Sequence, residues 1–131
     1  MILFLILLSI LIGESFQKVS TNVKIFEEVN CLRYQDWYYQ IWYYEEDVFA
    51  HDDLLTTNRV YFKNRNDRIF ITQLVISGGD ADVELEYELR AKIFHNCTHN
   101  GYSSELLYSF PQISVYTEEV SYKLNIVLDN S

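Results

Sequence analysis

The sequence predicts an all-β protein: a single-domain antiparallel β-sandwich or small barrel of about six to eight strands, closed by one disulfide. Three observations lead there. The 131-residue length is one domain's worth, and 49% apolar content is far too high for a disordered chain despite a formal charge of −9. From Asn58 onward the periodicity is that of strands, most clearly between Ala81 and Phe94, where apolar and polar residues alternate with a period of two, the pattern of a strand with one dry and one wet face. Two cysteines, Cys31 and Cys97, follow an N-terminal segment that reads as an export signal.

That segment, Ile2 to Ile12, contains a single polar residue, Ser9. At about 1.5 Å per residue it is too short a helix for a hydrocarbon core of roughly 30 Å, and it has the length of a secretory h-region. Gly13 and Ser15 stand where a cut before Phe16 needs small residues, although no basic residue precedes the apolar run. Residues 1–15 are therefore expected to be a cleaved signal peptide and 16–131 a secreted β domain. Export makes a Cys31–Cys97 disulfide the simplest use of the two thiols. It would close a loop of about 65 residues and stabilise the fold by roughly 4 kcal/mol.

Phe16 to Val29 is compatible with a short helical stripe through Val23 and Phe26 or with an extended edge. Tyr34 to Tyr44 (YQDWYYQIWYY) then concentrates five of the eleven tyrosines and both tryptophans. As a strand it would carry Trp37, Tyr39, Ile41 and Tyr43 on one face, and Tyr38, Gln40, Trp42 and Tyr44 on the other. Core packing is one use of these rings, since each buries roughly 150–250 Å². A contact surface made of Trp37, Tyr38, Tyr39, Trp42, Tyr43 and Tyr44 is the other, because Tyr and Trp dominate binding hot spots. Glu45, Glu46, Asp47, Asp52 and Asp53 follow and would rim such a patch with negative charge.

Arg59 to Lys63 is a short strand, turned by Asn64-Arg65-Asn66-Asp67 into the next. Arg68 to Ser77 is nearly continuous in apolar and β-branched residues, as a central strand covered on both faces would be. Between Ala81 and Phe94 twelve positions alternate without exception. With Gly78-Gly79-Asp80 as a tight connection, 68–94 reads as a β-hairpin. His95 to Ser104 is a polar loop, 105–110 and 113–116 are strand-like about Pro111, and Tyr122 to Leu128 is a final strand entered through Thr117-Glu118-Glu119.

The chemistry expected is contact, not turnover. A pI near 4.6 without a cluster of Lys or Arg argues against nucleic acid and anionic lipid. After residue 12 no apolar run approaches spanning length, so no stable membrane insertion is expected. His95, Cys97 and His99 alternate and could meet His51, Asp52 and Asp53 at a metal, but Cys97 is wanted by Cys31 and loop histidines are the plainer reading. No metal or other cofactor is expected. Glu84, Glu86 and Glu88 belong to a solvated strand face, and no catalytic motif is present. Asn96-Cys97-Thr98 is an N-glycosylation sequon.

Over about Val48 to Leu128, the strand RVYFKN, the run Arg68 to Ile76, Ile113-Ser-Val-Tyr116 and Tyr122 to Leu128 resemble the small secreted insect proteins grouped with the multiprotein bridging factor two coactivator. The resemblance implies a signal peptide before a compact β domain and no catalytic residues. Where that family has Gly-Gly-x-Gly, this chain has Ser109-Phe110-Pro111-Gln112. The expectation is a secreted binding protein that meets an extracellular protein or glycan through its aromatic surface. The alternative is a carrier of a small hydrophobic ligand, with Trp37 and Trp42 lining one interior cavity.

Overall fold

The computed structural model describes residues 19–46, 52–77 and 85–128. They form strands β1 (Thr21–Cys31), β2 (Trp37–Glu45), β3 (Asp53–Phe62), β4 (Ile69–Ile76), β5 (Glu86–Tyr87), β6 (Leu89–His95), β7 (Ser104–Ser109), β8 (Ile113–Ser114) and β9 (Glu119–Leu128). The short β5 and β8 pair with each other, and the seven longer strands make two sheets, ordered β4-β1-β9 and β3-β2-β6-β7. The fold is thus all-β and sandwich-like, as the alternation predicts. Residues 1–15, expected to be a signal peptide, and Asp47, His51, Gly78-Gly79-Asp80 and Glu84 lie outside the described residues.

β1 settles the ambiguity of its region in favour of the extended form. Val23, Ile25, Val29 and Cys31 alternate inward from it and are buried, and Glu27 shares their face. It lies antiparallel to β4, from Thr21↔Ile76 to Glu28↔Ile69, and parallel to β9, from Asn22↔Glu119 to Cys31↔Leu128. The first and last strands are therefore neighbours, an exception to the antiparallel expectation that period two could not reveal. Opposite β1, the inward residues Tyr39, Ile41 and Tyr43 of β2 and Leu89, Ala91 and Ile93 of β6 complete the core.

Two strand expectations are corrected. Residues 68–94 are not a hairpin: β4 pairs with β1, whereas β6 pairs with β2 and β7 in the other sheet. A tight connection between two strands is equally what a step from sheet to sheet looks like locally, and partner choice lies outside the segment. Nor is β4 central. It is the edge of its sheet, with Ile69, Ile71 and Val75 each 57% exposed and only Thr72, Leu74 and Ile76 buried. The apolar run reflects β propensity on the wet face rather than burial on both.

The Cys31–Cys97 disulfide forms, with its Cα atoms 5.8 Å apart. Cys31 ends β1 and Cys97 follows β6, so the bond pins one sheet to the other. Beside it the end of β6 meets the start of β2, where Asn96 N–H donates to the Tyr38 carbonyl. β2 sits inside its sheet between β3 and β6. One of its faces must meet the core and the other faces outward.

Candidate functional site

The pleat of β2 divides the aromatic segment into two populations with different work. Trp37, Tyr39, Ile41 and Tyr43 are at most 2% exposed, whereas Trp42 is 37% exposed and Tyr38, Gln40 and Tyr44 are half-buried. Of the six residues expected to form a contact surface, Trp37, Tyr39 and Tyr43 are therefore core. Period two permits no other outcome for a strand with one face packed against a second sheet.

The inward rings are fully engaged. Trp37 stacks on Phe62 with centroids 4.8 Å apart, and its Nε1–H donates to the Asn64 carbonyl at 2.9 Å. Asn64 can turn that carbonyl inward because it adopts φ of 58°, a left-handed conformation that asparagine tolerates. The hydroxyls of Tyr39 and Tyr43 donate to the two carboxylate oxygens of Glu27, at 2.5 and 2.7 Å. Burial raises both phenol pKa values far above their ordinary position, and the Glu27 charge and hydrogen bonds push them further. Trp37 and Trp42 belong to opposite faces of the sheet, so the two do not line an interior cavity together.

On the outward side, strand register assembles residues that are distant in sequence. Tyr38 faces Tyr61 and Gln40 faces Arg59 on β3; on β6, Gln40 faces Phe94 and Trp42 faces Lys92. The Tyr38 and Tyr61 rings lie 5.9 Å apart, with the Arg59 guanidinium 5.1 Å from the first and 5.8 Å from the second. Tyr38 Oη and Ser103 Oγ share a 2.8 Å hydrogen bond. Trp42 meets Phe94 edge-on at 5.4 Å. Between these groups lies an open recess of about 230 Å³, lined by Tyr38, Gln40, Trp42, Arg59, Phe94 and Ser103.

Charge on this face is unevenly committed. Lys92 reaches Glu105 at 3.9 Å, and Arg90 pairs with Glu46 while donating to Ser109 Oγ. Arg59 instead rests on two rings and pairs with no carboxylate among the described residues. A guanidinium over aromatic rings still has N–H groups to offer an incoming acceptor, such as a carboxylate, a carbonyl or a sugar oxygen. Of the described residues of the expected acidic rim, Glu45 is 5% exposed, Glu46 pairs with Arg90, and Asp52 and Asp53 are exposed.

A second recess, of about 400 Å³, opens at the end of the face and is lined by Asp36, Trp37, Tyr38, Tyr61, Phe62, Lys63 and Asn96. The Tyr38 N–H donates to Asn96 Oδ1 at 2.8 Å. Among the described residues, which do not include His51, no three His, Cys, Asp or Glu side chains gather around one point. His95 is fully buried, His99 is exposed and Cys97 is in the disulfide. Neither ring nitrogen of His95 has a hydrogen-bond partner, and burial lowers its pKa. Glu86 is exposed and Glu88 half-buried, in keeping with a solvated strand face.

Arg59, Tyr61 and Phe94 were not among the expected site residues. Arg59 and Tyr61 share parity in RVYFK, which places them on one face, but their side-by-side position with Tyr38 depends on the β2–β3 register.

Fold and face together define a small all-β sandwich, braced by one inter-sheet disulfide and carrying an outward patch of rings around an arginine. The chain belongs to the family described as Caenorhabditis elegans protein of unknown function (DUF870), whose match spans residues 26–129, more than half of the sequence. That span runs from inside β1 to just past β9 and so takes in both sheets. No curated protein and no solved structure matches the chain. Among the described residues, no helix is long and apolar enough to cross a membrane.

Proposed function

We propose that this chain is a secreted binding protein that acts by contact, not by turnover. Its contact surface is the outward face of the four-stranded sheet, where Tyr38, Trp42 and Tyr44 are joined by Arg59, Tyr61 and Phe94. The partner is an extracellular protein or glycan. The observation that carries this reading is the Arg59 guanidinium lying over both Tyr38 and Tyr61. Rigid rings offer area at little entropic cost, and an arginine held among them supplies directional hydrogen bonds. Export is supported by the apolar segment at residues 2–12 and is compatible with the disulfide. The likeness to small secreted insect proteins points the same way.

The test is capture from extracellular fluid by the immobilised full chain and by an Arg59→Ala/Trp42→Ala variant. A species retained by the parent is expected to lose at least about 30-fold in affinity for the variant, the scale of a lost hot spot. Thermal melts of both chains check that the fold is kept. Equal retention by parent and variant would overturn this face as the contact surface.

A further inference from the structure

We infer that the recess beside Asn96 seats the protein's own N-linked sugar, with the first N-acetylglucosamine packed against Tyr61 and Tyr38. The inference rests on the export reading, since glycosylation requires passage through a compartment that performs it. In the covalent step, Asn96 Nδ2 bonds to the anomeric carbon of a lipid-linked oligosaccharide pyrophosphate donor. The anomeric C–O bond to the pyrophosphate breaks, and Nδ2 gives up one of its two protons.

Three features of Asn96 support the recess as the sugar's seat. Asn96 stands in the sequon Asn96-Cys97-Thr98, directly after β6. Its amide plane is held, because Oδ1 accepts the Tyr38 N–H at 2.8 Å. Asn96 is half-buried, and its Nδ2 makes no hydrogen bond to another described residue. The fixed amide therefore sets the direction in which the attached ring leaves.

Asn96 itself lines the recess, which has room for such a ring. Its volume of about 400 Å³ falls within the roughly 300–1,000 Å³ of small-ligand clefts. Trp37 and Phe62 are buried at 2% and 6%, whereas Tyr61 is 68% exposed and leaves its ring in water. A pyranose has an apolar C–H face that suits an aromatic ring, and its hydroxyl edge would meet Asp36 and Lys63, which are exposed at the rim. Tyr38 lines both recesses, so a seated sugar would also steady a ring of the proposed contact face.

The full chain, expressed in a eukaryotic secretory host, tests this directly. Intact-mass analysis of parent and Asn96→Gln reads attachment, and masses that differ only by the one methylene the substitution adds would overturn the inference along with the glycoprotein reading. Trimming the glycan to a single N-acetylglucosamine then allows a cycle of melting temperatures: parent and Tyr61→Ala, each with and without the sugar. The sugar is expected to raise the parent's Tm by about 4 °C, a readable shift for a domain of this size, and to change Tyr61→Ala by less than about 1 °C. An equal shift in both backgrounds, with the sugar attached, would overturn the seating while leaving glycosylation intact.

Discussion

Glu27 and Tyr39 meet in the centre of the sandwich, one from each sheet, through a 2.5 Å hydrogen bond between side chains that are both fully buried. With Tyr43 donating to the second oxygen, a carboxylate on the inward face of β1 is satisfied by two hydroxyls from β2. The polar contact fixes how the sheets face each other, because sliding by one residue pair would strand all three groups.

Removing either hydroxyl leaves the carboxylate short of a donor. Tyr39→Phe or Tyr43→Phe is expected to cost about 1–3 kcal/mol, read from urea unfolding. The triple change Glu27→Leu/Tyr39→Phe/Tyr43→Phe, which removes all the polar groups together, should cost less than the sum of its parts.

Stability should fall on the acid side through His95. Its pKa is lowered in the fold by burial, from the ordinary value of 6.5. Below about that pH the unfolded chain takes up a proton that the native core refuses, so unfolding is favoured as pH drops. The slope from one such group is at most about 1.4 kcal/mol per pH unit. Comparing urea midpoints at about pH 7.5 and 5.5, the drop in the parent should shrink in His95→Leu.

The alkaline side is governed by Tyr39 and Tyr43. Their raised pKa values keep both phenols neutral in the fold, while in the unfolded chain they ionise near 10. Stability should decline as pH rises through about 10, because the unfolded state alone releases these protons. Absorbance titration should show two tyrosines that ionise only with unfolding.

The disulfide joins sheets across a sequence separation of 66 residues. A Cys31→Ser/Cys97→Ser variant is expected to lose about 2–4 kcal/mol in urea unfolding, since the unfolded chain regains the freedom that the closed loop denied it.

Because β4 is covered on one face only, residues of the same strand should respond very differently. Ile71 is 57% exposed and Leu74 is 4% exposed. Ile71→Thr should change stability by no more than about 0.5 kcal/mol, whereas Leu74→Ala should cost about 2–5 kcal/mol. Comparable losses at both positions would mean that β4 is covered on both faces after all.

Local pattern in the chain was sufficient for whatever depends on one strand at a time. Alternation in 85–95 separated Tyr87, Leu89, Ala91 and Ile93 from Glu86, Arg90 and Lys92, because the side-chain period of a strand is two whatever its neighbours. The same parity split Trp37, Tyr39 and Tyr43 from Tyr38, Trp42 and Tyr44, and the two cysteines named their own bond. Which side of β2 faced in, and which strands stood beside it, was decided by tertiary structure. Pairing is a contest among all segments for mutual burial, and its outcome is written in no single one. That contest sent β4 to an edge and β6 to the other sheet, and placed β9 parallel to β1. It also brought Arg59 and Tyr61 against Tyr38, so the aromatic residues were legible in sequence but the face they form was not.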